Sequence, residues 1–120
     1  MREGNIVQIK SKSFAIRTIK LFQFLKDSKN EYVMSKQLLR SGTSIGANLR
    51  EAEHAQSKAD FLHKVNVALK EANETLYWLE LLNETEYISD EGFDSLKLDA
   101  EELLKLLASI VKTTKANLKR

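Results

Sequence analysis

Apolar residues recur along this chain at the three-to-four-residue spacing of an α-helix, in four blocks separated by short polar segments. An N-terminal arm, residues 1–12, is expected to be partly irregular. The blocks predict helices over about residues 13–27, 35–56, 57–83 and from 89 into the C-terminal tail. Because short loops favour antiparallel neighbours, the pattern predicts one all-α domain over residues 1–120, an antiparallel up-down-up-down four-helix bundle.

Serine residues stand at the predicted helix starts. For the first three helices, the N-cap, whose side chain accepts a hydrogen bond from the first helical turn, is expected to be Ser11 or Ser13, Ser35 and Ser57, respectively. The fourth helix is expected to open at Ser89. Within the second helix, Gly42 and Gly46 each cost about 1 kcal/mol relative to alanine. They therefore either permit close approach of a neighbouring helix or mark a bend. The sequence favours one helix with a local irregularity.

More apolar side chains are present than one bundle core needs. The third helix is apolar almost all round at residues 76–82, and the fourth at residues 103–111. Ile16, Leu21 and Phe24 add apolar surface to the first helix outside its main stripe. Monomers rarely leave large contiguous apolar patches in water, so the surplus predicts self-association. The alternative is a wide core with scattered exposed leucines.

A polar stripe runs along the second helix beside its apolar stripe, and the third helix carries carboxylates on a comparable face. The residues of the stripe are Gln37, Ser41, Ser44, Asn48 and Glu51. If the hairpin between them turns near Ser57, Arg40 lies level with Glu74 or Thr75, and Ser44 lies level with Glu71. The spacing predicts a polar network that fixes the register of the two helices; a solvated face is the alternative. The predicted members are Gln37, Arg40, Ser44, Asn48, Glu51, Glu71 and Glu74.

The composition excludes several classes of site. Without cysteine, neither disulfides nor thiolate metal sites can form. Glu51 and His54 form the Glu-x-x-His pair that di-iron bundles use, but the corresponding Glu74 on the third helix is followed by Tyr77 instead of a second histidine. No phosphate-binding loop or nucleophile motif is present. We therefore expect no catalytic residues, no cofactor and no small-molecule substrate; a metal-binding or hydrolytic bundle centred on Glu51 and His54 is the competing hypothesis.

Charge is unevenly distributed although the net charge is only +2. Residues 84–102 carry eight acidic and one basic side chain, whereas residues 103–120 carry five basic and no acidic ones. The antiparallel topology brings both chain termini to one end of the bundle, where basic residues could contact the phosphates of RNA or DNA. The same charges would also complement the helix dipole. The candidate phosphate contacts are Arg2, Lys10, Lys12, Arg17, Lys112, Lys115, Lys119 and Arg120.

Four runs of residues resemble the bacterial 23S rRNA intervening-sequence proteins: QLLRS at 37–41, SIGANLREA at 44–52, DF at 60–61 and KEANETLYWL at 70–79. The resemblance implies an up-down bundle that assembles as a homopentamer, and it implies no enzymatic activity. Many relatives carry proline where this chain has Gly46. A related group of pentameric bundles accompanies reverse transcriptases in diversity-generating retroelements and binds nucleic acid.

These observations together predict a non-enzymatic oligomeric scaffold or adaptor that binds nucleic acid through a basic end. The N-terminal residues lack the long apolar run of a signal peptide, and no stretch approaches the roughly 20 apolar residues of a membrane span. A cytoplasmic location without membrane association is therefore expected.

Overall fold

The computed structural model describes the backbone of residues 2–119 and the side chains of residues 4–119. It contains four helices and, within those residues, no strand: α1 (Arg2–Lys29), α2 (Met34–Ala52), α3 (Lys58–Glu84) and α4 (Asp90–Leu118). Each helix packs on the next, and α4 returns against α1 to close a bundle of 51 × 22 × 19 Å. The predicted all-α four-helix bundle is confirmed. None of these helices combines the length and apolar character needed to cross a membrane.

Helix α1 begins well before the predicted start. The arm expected to be irregular is helical from Arg2, because Val7 packs into the core and Ser11 is fully buried against α2. Polar residues such as Gln8 and Lys10 obscure the apolar period in this segment. The second helix is shorter than predicted, since the chain turns after Ala52 instead of continuing to Gln56.

The expected cap of α3 is confirmed, and α4 is capped by the serine at which it was expected to open. The Ser57 hydroxyl accepts a hydrogen bond from the Asp60 amide at 3.0 Å, and that of Ser89 accepts one from the Gly92 amide at 3.1 Å. The predictions for the first two helices are wrong, because Ser11 and Ser13 lie inside α1 and Ser35 lies inside α2. A carboxylate takes over the capping role at α2.

That carboxylate belongs to Glu31, in the turn between α1 and α2, and it is buried. It accepts hydrogen bonds from the amides of Val33 and Met34, both at 3.1 Å, and of Ser35 at 2.7 Å. Burial alone raises the pKa of Glu31, but these backbone donors and the Ser35 hydroxyl outweigh it and hold the pKa below the usual glutamate value. The start of α2 therefore depends on an ionised side chain.

Leucine, isoleucine and alanine from all four helices fill the core, with Phe14 as its buried aromatic residue. Full burial of each large aliphatic side chain contributes about 1.5–3 kcal/mol relative to exposure. The larger fully buried members are Leu25, Leu38, Ile45, Leu79, Leu82, Leu103, Leu107 and Ile110.

The glycines of α2 lie against α1. The helix is continuous, so the expected irregularity is absent and the alternative, close approach, is what the structure contains. A Cβ built on Gly42 would stand 2.5 Å from Cγ2 of Thr18, and one built on Gly46 would stand 3.3 Å from Oγ of Ser11. Thr18 and Ser11 are themselves buried. The approach of α1 to α2 therefore requires glycine at position 42, whereas a methyl group at position 46 would make only a tight contact.

Candidate functional site

Arg40 bridges α2 and α3 through two carboxylates. Its Nη1 donates to Oε2 of Glu71 at 3.0 Å, and its Nη2 donates to Oε2 of Glu74. The indole Nε1 of Trp78 donates to the same oxygen of Glu74 at 3.0 Å. The Arg40 side chain is 50% exposed whereas that of Glu71 is 14% exposed, so the cluster lies at the rim of the helix pair.

Contacts within this cluster favour the ionised forms of Glu74 and Arg40. The Trp78 indole and, after it, the Arg40 guanidinium lower the pKa of Glu74, although burial acts in the opposite direction. The hydrogen bond to Glu74 raises the pKa of Arg40 in turn. A carboxylate that stays ionised and fully engaged is a poor general acid or base at neutral pH. The arrangement therefore suits a structural tie between helices.

Below the rim, the same two helices share a buried hydrogen bond. The Thr75 hydroxyl lies 2.8 Å from that of Ser41, and both residues are fully buried. Ser41 belongs to the polar stripe recognised in the sequence, and Thr75 lies opposite it. The serine and threonine are small enough to lie inside the interface, whereas the longer charged side chains remain at the rim.

The remaining predicted members of the network do not reach the α3 carboxylates. Asn48 Nδ2 donates to the Ser44 carbonyl at 2.8 Å, and Ser44 Oγ donates to the Ser41 carbonyl at 3.4 Å, so both bonds stay within α2. Gln37 is exposed. Glu51 pairs with Lys64 at 3.0 Å, nearer the end of the hairpin. The predicted members therefore form two separate ties between α2 and α3, Arg40 with the Glu71 and Glu74 carboxylates and Glu51 with Lys64, and the Ser41–Thr75 hydrogen bond is a third.

The Glu51–His54 pair has the surroundings of a surface turn. His54 is exposed in the turn after α2, and residues 4–119 contain no group of three histidine or acidic side chains placed to hold a metal ion. An open groove of about 790 Å³ lies beside this turn. Its charged lining has both signs: Lys12, Arg50 and Lys64 with Glu51, Glu53 and Asp60.

The structure separates the predicted basic cluster. Lys10 pairs with Glu102 at 2.7 Å, and Arg17 pairs with Asp99 at 2.6 Å, so these two cations lie along the α1–α4 contact instead of at the end of the bundle. Lys12 is exposed at the groove. The others, as far as their side chains are described, are exposed near the end of α4: Lys112, Lys115 and Lys119. The Arg2 side chain and Arg120 lie outside the described residues.

Most of the apolar surplus of α3 and α4 is internal. Residues such as Leu76, Trp78, Leu104 and Leu106 pack partly buried against the core. Exposed apolar side chains are instead prominent on α1, where Ile9 is 70%, Ile16 46% and Phe24 43% exposed. On α4, Leu98 is 70% exposed. Sequence reasoning missed Ile9 because it assigned that residue to the irregular arm.

Comparisons with known proteins agree with the resemblance found in the sequence. The model of a family described as "23S rRNA-intervening sequence protein" matches residues 3–109. A crystal structure from Bacteroides thetaiotaomicron VPI-5482, described as a protein with unknown function from the S23 ribosomal protein family, is 60% identical. The match covers 92% of this chain and 98% of that chain, with a TM-score of 0.91. No curated protein matches this chain.

Proposed function

Because this chain belongs to the 23S rRNA-intervening sequence protein family, we propose that it is a non-enzymatic scaffold that self-associates, as a ring of five copies, and binds nucleic acid electrostatically. The observation that carries the proposal is the contrast between inner and outer surfaces. Charged side chains that are candidates for catalysis or ligand binding, such as Arg40, Glu71 and Glu51, instead form ion pairs between α2 and α3. What faces outward is apolar side chains on α1 and lysines at the end of α4.

The apolar side chains of α1 support self-association. Ile9 and Ile16 are seven residues apart, or two helical turns, and so share one face of the helix. Both remain substantially exposed in the single copy. Covering such side chains with another copy would recover free energy on the order of 1 kcal/mol or more for each.

Light scattering at micromolar concentration tests the assembly. We expect a mass near five copies for the unaltered protein, and a smaller mass for Ile9→Asp/Ile16→Asp, because the new charges would be buried in the interface. Asn73→Asp, which adds a charge to an exposed position of α3, is the control and should leave the mass unchanged. A stable monomer for the unaltered protein would overturn the self-association proposal.

The lysines of α4 support the nucleic-acid part of the proposal. Lys112, Lys115 and Lys119 are exposed at the end of the bundle that also carries the start of α1. In an assembly of several copies these clusters would repeat, and weak contacts would then add through avidity. With no aromatic residue interleaved among them for base stacking, the binding we propose is to phosphates and is independent of sequence.

Titration of RNA and DNA at several salt concentrations tests this binding. Each phosphate contact on a duplex contributes about 0.9 to the slope of log affinity against log salt. Lys112→Gln/Lys115→Gln/Lys119→Gln should flatten the slope and weaken binding to all sequences alike. The matched control replaces three lysines of α1 at the opposite end, Lys20, Lys26 and Lys29, and should have little effect. Absence of binding by the unaltered protein at low salt would contradict the proposal.

A further inference from the structure

One outward stripe of α4 has the spacing of a coiled-coil seam. Its eight positions are separated alternately by three and four residues along nearly the whole helix. This is the a/d spacing of a heptad repeat, but six of the eight side chains are charged where a coiled-coil core has apolar ones. Leu98 is its exposed large apolar side chain, at 70% exposure, and Glu101 is half-buried while the other members are exposed. The members, hereafter the α4 stripe, are Glu91, Asp94, Leu98, Glu101, Lys105, Ala108, Lys112 and Lys115.

The α4 stripe changes sign at its middle. Its charged members up to Glu101 are acidic, and those from Lys105 onward are basic. The helix dipole favours such charges only within the first and last turns, so it does not account for Glu101 and Lys105 in the middle of α4. These two residues are four apart, the spacing at which a glutamate and a lysine also favour their own helix. Within the described part of the chain, none of the six charged side chains of the stripe forms an ion pair. The other acidic residues of this region, Asp99 and Glu102, are those that α1 neutralises.

We propose that the α4 stripe binds the α4 stripe of a second copy in the antiparallel direction. Reversing the stripe places every acidic position opposite a basic one: Glu91 opposite Lys115, Asp94 opposite Lys112 and Glu101 opposite Lys105. A twofold axis through the middle of the helix makes each pair occur twice, as an isologous contact requires. A parallel pairing would instead set like charges against each other, so the charges select the antiparallel arrangement.

The apolar members fit the same register. Leu98 stands opposite Ala108 of the second copy, and Ala108 stands opposite its Leu98, so the contact contains two pairs of a large and a small side chain. Beside Leu98, α4 has a shallow depression of about 360 Å³ whose lining includes Glu101 and Lys105. In antiparallel coiled coils the side chains of one helix insert between those of the other. The register that pairs the charges therefore also places Leu98 in contact with the second copy.

This contact differs from the ring in the proposed function and does not depend on it. A ring is built from heterologous contacts, whereas the α4 contact is twofold. It nevertheless uses Lys112 and Lys115, which the proposed function assigns to phosphates. Pairing and nucleic-acid binding at these lysines are therefore mutually exclusive.

Exchanging charges within the α4 stripe tests the register. The quantity measured is the dissociation constant of two copies paired through their α4 stripes, obtained by sedimentation of the intact protein. Glu101→Lys alone and Lys105→Glu alone should each weaken self-pairing by about tenfold or more, because two attractive pairs become repulsive. Mixing the two variants should restore pairing between unlike copies, where both charge pairs are attractive again. Circular dichroism confirms that each variant folds. If neither variant weakens the pairing, or if the mixture associates no better than either variant alone, the proposal is wrong.

Disulfide trapping detects the contact between two α4 stripes whether or not the copies also form a ring. The chain has no cysteine of its own, so Leu98→Cys and Ala108→Cys each introduce one thiol. Under mild oxidation at low protein concentration, a mixture of the two variants should form the mixed disulfide. Either variant alone should not, because its two thiols would lie several turns apart in the antiparallel pair. Equal cross-linking of Leu98→Cys with itself would indicate a different register and overturn the proposal.

Discussion

At the scale of single residues, Arg40 ties α2 to α3 by donating to the Glu71 and Glu74 carboxylates together. That Arg40 lies opposite Glu74 follows from counting residues outward from the turn at Ser57, because two antiparallel helices rise by the same distance per residue. Whether Ser44 and Asn48 join the contact does not follow from counting. Their short side chains find acceptors one turn back in their own helix, and this local competition is independent of what lies across the interface.

Arg40→Ala should destabilise the bundle by about 1–2 kcal/mol, between the values for an exposed pair and a buried one. The reason is that Arg40 is half-exposed while Glu71, which loses its partner, is largely covered. Arg40→Lys keeps the charge but not the two-carboxylate geometry, so an intermediate loss is expected. Denaturant midpoints give the result, with Lys36→Ala at an exposed site of the same helix as the control. A loss equal to that of the control would mean that the tie contributes nothing.

Glu31 gives a pH-dependent prediction. Its pKa is lowered in the folded state, so its stabilising effect is fully present above the pKa of the unfolded chain, about 4.3. The effect disappears as the pH falls through the lower folded value. Glu31→Gln should therefore cost about 1–2 kcal/mol at neutral pH, and the difference from the unaltered protein should shrink in acid. Glu84→Gln, at an exposed position, should show no such pH dependence in parallel unfolding experiments.

At the scale of elements, the interiors of the helices were predictable and their ends only in part. Ser57 and Ser89 cap α3 and α4 because each precedes its helix in extended conformation. The start of α2 was missed because its cap comes from Glu31, a residue that sequence rules place inside the first turn and not before it. The early start of α1 was missed because burial of Val7 and Ser11 against partner helices outweighs a weak local pattern.

Gly42→Ala separates helix propensity from packing. Alanine favours a helix over glycine by about 1 kcal/mol, yet its Cβ would stand 2.5 Å from a Thr18 carbon atom. We expect a net loss of about 1–2 kcal/mol in thermal or denaturant unfolding, because overpacking forces α1 and α2 apart. Gly46→Ala is the matched comparison, since its Cβ would meet Ser11 Oγ at 3.3 Å, and it should be close to neutral. Equal effects at both glycines would show that the close approach to Thr18 is not limiting.

At the scale of the whole molecule, the topology and the family were predictable because each depends on many residues at once. The distribution of basic charge was not. Counting basic residues near both termini takes no account of neighbours, and two of those side chains, Lys10 and Arg17, face acidic residues of α4. Their pairing became visible only when the bundle fixed which part of α4 lies beside α1. Among the described residues, the part of the predicted basic cluster that stays together is the three exposed lysines at the end of α4.

The order in which the helices pack has a consequence for the kinetics of folding. Each helix contacts its neighbour in the sequence extensively, while the α1–α4 contact, which joins the most distant parts of the chain, is the smallest. Most contacts can therefore form with little loss of loop entropy, and such topologies fold in microseconds to milliseconds. The chain also has no proline, so no slow isomerisation step interrupts refolding. Stopped-flow refolding at concentrations low enough to suppress association should show one fast phase; a phase lasting seconds would reveal a barrier that the topology does not explain.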